Sequence, residues 1–469
     1  MLLFAFAFAV MADPVSSVAY AIEAALHALH GDLALLVPTM LLVLGVIWLV
    51  CLNYDQLIRR FPQGGGAVAA TGSAFGEGWA FLPLGALVVD FVLTIAISVA
   101  AAASAAIAYF PSLAPHRTSI AVLLCCVVAA VTWFGHIGRS VFATMTVAFV
   151  AAAVPVVVLG LIAPHAPGEA ALRGSDATSG WSVLVAFPVA MALATGVEAP
   201  SSAIAQLGQL GDRGRARFGR ITLWLTFALA GTLTLSIVAL AVTLRIGEPA
   251  EHSTLIADVA RAAVGDGAWF ALFQLTSSLL LLAAASSSFQ AGPGLLKALA
   301  RHTGDGGRQL GILPPALGAT NRHHTPYWSV VVYLAISVAV VAAARGRDQE
   351  LVLFYAVAVF VSFMAGLMAM ARFSRRERSM RHVLVNWLGA VMVGFTLVIN
   401  LGRGYPIASL VATLAVAAVF HRLWVRRGRP RGIATAEAEA ERALAEGAAE
   451  PTPYREPGAP GEGESRSVR

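Results

Sequence analysis

The sequence predicts an all-α membrane protein that crosses the bilayer many times, and three observations carry that prediction. The 469-residue chain is 58% hydrophobic and only 12% charged, against about 25% charged residues in ordinary globular domains. Apolar runs of ~20 residues, long enough for a helix to span a bilayer, recur through most of its length. Lys and Arg collect in alternate loops between these runs. The net charge of +6 therefore reports topology and points to no nucleic-acid partner; the partner implied by composition is the lipid bilayer.

Twelve spans are expected, over residues 2–28, 33–52, 79–109, 119–135, 140–163, 182–206, 221–245, 268–289, 327–344, 350–371, 383–401 and 404–424. The first opens MLLFAFAFAV, without the positive n-region or the small-residue cleavage site of a secretory signal. It reads as the first half of a span, and the few residues before it suggest a start further upstream. Span 3 is long and is expected to tilt. Loops after even-numbered spans, together with the flank after span 12, hold Lys and Arg about three to one over loops after odd-numbered spans. That bias puts both termini in the cytoplasm, with the protein in the plasma (inner) membrane; an odd span count would scramble it.

From Ile433 the composition turns to Ala, Glu, Pro and Gly. Residues 433–469 are expected to form a disordered acidic cytoplasmic tail, with room for a short helix over 435–446. No second globular domain is expected. Cys51, Cys125 and Cys126 show neither metal-ligand spacing nor a disulfide framework. Gly64-Gly65-Gly66 lacks the GK[ST] of a phosphate loop and reads as a tight, mobile cytoplasmic turn. The histidines scatter, no nucleophile–His–acid set occurs, and an enzyme is not expected.

Three acids interrupt the apolar runs: Asp13 in span 1, Asp90 in span 3 and Glu198 in span 6. A carboxylate at bilayer depth costs roughly 2.5–3.5 kcal/mol or more unless it lines a wet cavity or finds a partner. No Lys or Arg lies within these runs, so the simplest occupant of such a site is a cation, a proton or both. Asp90, Thr94 and Ser98 follow at i, i+4 and i+8 and share one helix face. The plainer role of that stripe is interhelical hydrogen bonding. Asp13-Pro14-Val15-Ser16-Ser17 is echoed by Glu198-Ala199-Pro200-Ser201-Ser202, five spans later. An odd offset inverts the second copy, and interrupted helices at matching places in two inverted halves point to a transporter site. Asp13 also suits the N-cap of a second half-helix, and Glu198 suits either a cap or a proton carrier.

The loop NYDQLIRRFPQGGGAVAATGSAFGE after span 2 and SSSFQAGPGLLKALARHTG after span 8 resemble signatures of the amino acid–polyamine–organocation (APC) superfamily. DPVSSVAYA, DFVLTIAIS, TGVEA and FYAVAVFVSF together resemble its KimA-type potassium–proton symporters. The resemblance covers residues 1–424. It implies a LeuT-like fold of two inverted five-helix repeats plus two helices, with spans 1 and 6 broken. The repeats would occupy 1–165 and 166–372, with spans 11–12 and a basic flank over 373–432. It further implies that Asp13, Tyr20, Asp90, Thr94, Ser98, Thr195 and Tyr355 surround potassium, with Asp13 and Asp90 as its charged ligands. Tyr20 and Tyr355 suit plain packing equally well. Two departures stand out. Phe91 stands where the group commonly has Tyr, and the group's large C-terminal domain, with its dimer and nucleotide regulation, is replaced by the short acidic tail.

The function expected is proton-coupled uptake of a monovalent cation, potassium, by alternating access. Carboxylate, hydroxyl and carbonyl oxygens suit a hard cation, whereas softer metals ask for Cys, Met or His. The alternative is a proton-coupled amino acid or amine permease. Such carriers typically rest a substrate carboxylate on a Gly-rich break in span 1; here the break carries Asp13 and no Gly, which repels a carboxylate and favours a cation or an amine. A channel or sensor is a third, weaker reading. No resident cofactor is expected, and the sequence is silent on oligomeric state.

Overall fold

The computed structural model describes residues 2–135, 138–172, 180–301, 311–404 and 406–448. Every regular element among them is a helix. The first span is three short helices in line, α1 (Leu2–Val10), α2 (Ala12–Ser16) and α3 (Val18–Ala28), because Pro14 cannot donate a backbone hydrogen bond. Asp32 starts α4 (Leu33–Arg60) by accepting from the N–H groups of Ala34 and Leu35 at 3.0 and 3.3 Å, an N-cap. This helix runs eight residues past the apolar edge at Leu52, into a charged turn where Asp55 accepts from Arg59 and Arg220, both at 2.6 Å.

Helices α5 (Gly66–Phe75), α6 (Phe81–Tyr109), α7 (Arg117–Trp133) and α8 (Arg139–Ile162) complete the first half. The second half opens with α9 (Gly180–Ala190), which gives way to a 3-10 turn at Met191–Ala194 and an unwound stretch. It resumes as α10 (Ala199–Ala203) and a 3-10 turn at Ile204–Gln206. There follow α11 (Asp212–Thr243), α12 (Leu255–Val264), α13 (Ala268–Arg301), α14 (Pro315–Gly318), α15 (Tyr327–Ala343), α16 (Asp348–Arg376), α17 (Met380–Gly402), α18 (Ile407–Arg426) and α19 (Ala436–Ala448).

Ten helices among the described residues are long and apolar enough to cross a membrane; α3 and α15 are shorter apolar helices. Burial ranks the long ones. The most apolar stretch of α6 is 89% buried, against 22% in α7 and in α18, so α6 is the central post and the latter two face outward. The expected span positions are matched to within a few residues at most ends. The exceptions run further on one side, as α4, α11 and α13 do.

Three expectations need correction. Helices α5 and α12 occupy segments expected to be loops. The Gly64-Gly65-Gly66 turn is tight but not loose: all three residues are buried. A Cβ on Gly64 would meet Ala205 Cβ at 2.7 Å, and one on Gly66 would meet Ser201 Oγ at 2.8 Å. Glycine is there so that this turn can press against α10. In the tail expected to be disordered from residue 433, the short helix allowed over 435–446 is present as Ala436–Ala448, and the correction is that the segment docks on the rest of the protein. Trp424 donates to the Pro430 carbonyl at 2.8 Å, and Glu77 accepts from the N–H groups of Gly432 and Ala434 at 3.1 and 3.0 Å. A 3-10 turn at Ile433–Thr435 then leads into α19. Ile433 and Ala436 are fully buried, and Ala438 and Ala440 nearly so. Alanine offers little apolar surface on its own, but it lets α19 lie close against α5 and α13. Residues 449–469 of the expected tail lie outside the described residues.

Candidate functional site

The two helix breaks face each other. Gly196 has φ +71°, the left-handed backbone that glycine adopts without strain. A Cβ on it would lie 2.8 Å from both Asp13 Oδ2 and Pro14 Cδ. The unwound 195–198 stretch therefore rests directly on Asp13-Pro14. Ser17 fastens the contact: its hydroxyl lies within bonding distance of the Pro14 carbonyl (2.7 Å) and, across the gap, the Leu193 carbonyl (3.2 Å).

The sequence echo between the breaks is repeated in atomic detail. Ser16 Oγ donates to the Asp13 carbonyl at 2.8 Å, and Ser201 Oγ donates to the Glu198 carbonyl at 2.7 Å. Each carbonyl also accepts a backbone N–H, from Ser17 at 3.3 Å and from Ser201 at 2.9 Å, so each serine adds a second bond to a carbonyl at a break. Neither acid acts as a cap: α2 and α10 have no side-chain cap bond. That corrects the N-cap reading of Asp13 and leaves its side chain to the cavity.

A cavity of about 160 Å³ opens between the breaks, and Asp13, Asp90 and Glu198 all line it, with Phe91 alongside. Each acid is close enough to repel the others. Asp13 Oδ1 and Glu198 Oε2 are buried without a hydrogen-bond partner, which is costly in a place without water. From Glu198 the wall continues through Ser202 and Gln206, one turn apart each. There it meets two residues of α19 at the same spacing. Ser202 donates to Glu437, and Gln206 donates to Glu441 at 2.5 Å.

Of the other expected residues, Tyr20, Thr94, Ser98 and Thr195 do not line this cavity. Tyr20 and Thr195 are buried side by side; Thr195 donates to the Ala192 carbonyl at 2.6 Å. Thr94 and Ser98 continue the Asp90 face of α6 and are buried. Tyr355 lies on α16, and its side chain falls outside the described residues. Sequence reasoning missed Gly196 as a contact to Asp13; it named Ser202 only as part of the echo and missed Gln206, Glu437 and Glu441 altogether.

A second cavity of about 970 Å³ lies on the opposite face, where Glu23, His27, Arg117 and Asp348 are among its walls. Tyr20 and Thr195 stand between the two cavities, and polar ties brace the walls of the second. Glu23 accepts from the N–H of Leu255 at 2.8 Å, at the start of α12. Ser104 donates to Asp348 at 2.7 Å and accepts from Arg117 at 2.5 Å. Among the described residues no three His, Cys, Asp or Glu converge as a ligand set for a metal ion.

Residues 2–420 match the model of a family described as amino acid permease. The potassium transporter KimA of Bacillus subtilis (strain 168) is 26% identical over 431 residues, which are 88% of this chain; the chain spans 66% of that relative's length. Crystal structures of two mutants of the Eremococcus coleocola manganese transporter superpose with TM-scores of 0.50 at 14% and 13% identity. They cover 91% of this chain and 94% of theirs. At that identity the likeness shows the fold alone, which is LeuT-like.

Proposed function

Since this chain belongs to the amino acid permease family and is integral to the membrane, we propose that it is a secondary active transporter that takes up a monovalent cation, potassium, together with protons. The observation that carries this reading is the contact between the two helix breaks. It sets the Asp13 carboxyl against Gly196 with Oδ1 buried and unpartnered, beside Asp90 and Glu198 in one cavity. A site lined by five carboxyls, those of Asp13, Asp90, Glu198, Glu437 and Glu441, and by no Lys or Arg among the described residues attracts positive charge. The name of the KimA relative supports potassium as that charge.

In this reading Asp13 and Asp90 are the charged ligands. Tyr20, Thr94, Ser98, Thr195 and Tyr355 supply neutral oxygens after small shifts of the two breaks. Glu198 carries the proton, because a buried carboxyl gives up its proton more readily when a cation is near and takes it back when the cation leaves. Two cavities on opposite faces, divided by the Tyr20–Thr195 pair, suit alternating access: one layer parts while the other closes. The arginine-rich face, where α4, α16 and α18 end, is then cytoplasmic by the positive-inside rule. Counting α1–α3 and the α9–α10 stretch as single spans, and α15 as another, gives twelve spans with both termini inside. The first ten divide into two inverted repeats.

A second reading is supported by the family and by size. A volume of about 160 Å³ exceeds what one dehydrated ion needs, a water occupying about 30 Å³. An amine or polyamine would satisfy the same carboxyls. Purified protein in proteoliposomes under an imposed pH gradient separates the two, with radioactive rubidium offered beside a panel of labelled amino acids and polyamines. Rubidium should accumulate and the organic substrates should not. Accumulation of an amine or amino acid with no rubidium uptake would overturn the cation reading.

A further inference from the structure

We propose that the C-terminal segment 433–448 is a gate that closes the arginine-rich mouth of the carboxylate cavity and must swing away before that cavity can open to this side. The proposal rests on the transport reading for its purpose, but its geometry stands by itself. Cavity and segment share walls: Glu437, Glu441 and Leu444 of α19 line the same space as Asp13, Asp90 and Glu198. The contacts form a ladder. Ser202 and Gln206, on the far half of the broken span, bond Glu437 and Glu441 one turn apart on α19. A shift of α10 during opening would therefore pull directly on α19.

The segment is anchored at its root and lightly held along its length, as a hinged element should be. At the root, Trp424 holds the Pro430 carbonyl and Glu77 holds two backbone N–H groups. Along the length the packing is small against small: a Cβ on Gly72 would meet Ala434 Cβ at 2.5 Å, and one on Gly65 would meet Ala438 Cβ at 3.7 Å. Arg442 adds one bond to the Gln63 carbonyl at 3.2 Å. Alanine faces bury little area each, and hydrophobic stabilisation scales with area, so release is cheap compared with unpacking a Leu- or Phe-rich helix. Glu437 is 7% exposed and its Oε2 has no hydrogen-bond partner. A structural helix would not ordinarily bury such a carboxyl; one that faces a cation pathway has reason to.

The test uses the full chain with Cys126, the exposed native thiol, replaced by serine. Ala9→Cys places a reporter on the cavity wall. A membrane-impermeant thiol reagent is applied to the arginine-rich side of oriented vesicles. Gly72→Val with Glu77→Ala loosens the segment without touching the cavity and should speed labelling at least tenfold. Labelling at the unmodified rate overturns the gate. A second arm covers the case in which that variant does not fold. Gln63→Cys and Arg442→Cys, a contacting pair off the cavity wall, in a background lacking Ala9→Cys, are joined by a short bifunctional thiol reagent that is cleaved by reductant. Rubidium uptake should stop on joining and return on cleavage, and uptake undiminished by complete joining overturns the gate. No uptake before joining counts against the transport reading and leaves the labelling result to decide the gate.

Discussion

Asp13 is the residue on which most of the chemistry converges. Its carbonyl is held by Ser16, its carboxyl lies against Gly196, and Oδ1 has no hydrogen-bond partner. Removing the charge while keeping the shape should remove the function. Asp13→Asn and Asp90→Asn are each expected to abolish rubidium uptake while the protein stays monodisperse; uptake at the wild-type rate in either would remove that residue from the site. Gly196 tests the geometry separately. Gly196→Ala puts a methyl group 2.8 Å from the Asp13 carboxylate and forces a left-handed backbone on alanine, a strain of about 1–3 kcal/mol. Uptake should fall at least tenfold and the thermal midpoint should drop; a variant with unchanged uptake and midpoint would show that the breaks need not touch. Asp13 and Asp90 stood out in the sequence because a carboxylate in an apolar run is costly unless it lines a cavity or finds a partner, although a cap and a hydrogen-bonded stripe explained them too. Gly196 was only half legible: a glycine marks a break, but nothing local says that the break lands on a residue 183 positions earlier.

At the scale of elements, the long helices were legible because bilayer solvation forces ~20-residue apolar runs. The echo of acid and serines between α2 and α10 was legible too, and the matching serine–carbonyl bonds give it a structural basis. The short elements were less so. Helix α5 is ten residues of Gly, Ala, Ser and Thr with only Val68 and Phe75 larger, too short to read as a span, and α19, allowed over 435–446, alternates Ala and Glu and carries no sign of where it docks. Their docking comes from small residues meeting at close range, a property of pairs far apart in sequence. The docked helix brings a pH dependence. Burial holds the Glu437 carboxyl up at about 7, against 4.5 for the free group, with the Ser202 bond opposing and Glu441 adding to the rise. The docked state therefore binds the proton more tightly than the released state. Docking is strongest below about pH 4.5, weakens as pH climbs to about 7, and stays weakened above that. Hydrogen exchange in α19, corrected for intrinsic rate, should lose protection across this window. Glu437→Gln should flatten the loss, and constant protection in the wild type would contradict the assignment.

For the molecule as a whole, α6 forms the buried post that carries Asp90, and the two interrupted segments meet beside it. A cavity opens on each face, with Tyr20 and Thr195 between them. The division into membrane and tail was legible from composition, whereas the folding of the tail back over the cavity was not, because that contact joins residues 235 positions apart. The central claim is that the paired breaks form a site for positive charge. Equilibrium binding of radioactive rubidium to the purified, detergent-solubilised protein tests it most directly, since binding needs neither a gradient nor a sealed vesicle. Saturable binding that is displaced by potassium and lost in Asp13→Asn is the predicted result. An absence of rubidium binding in wild-type protein that binds an amino acid, or rubidium binding untouched by Asp13→Asn, would contradict it.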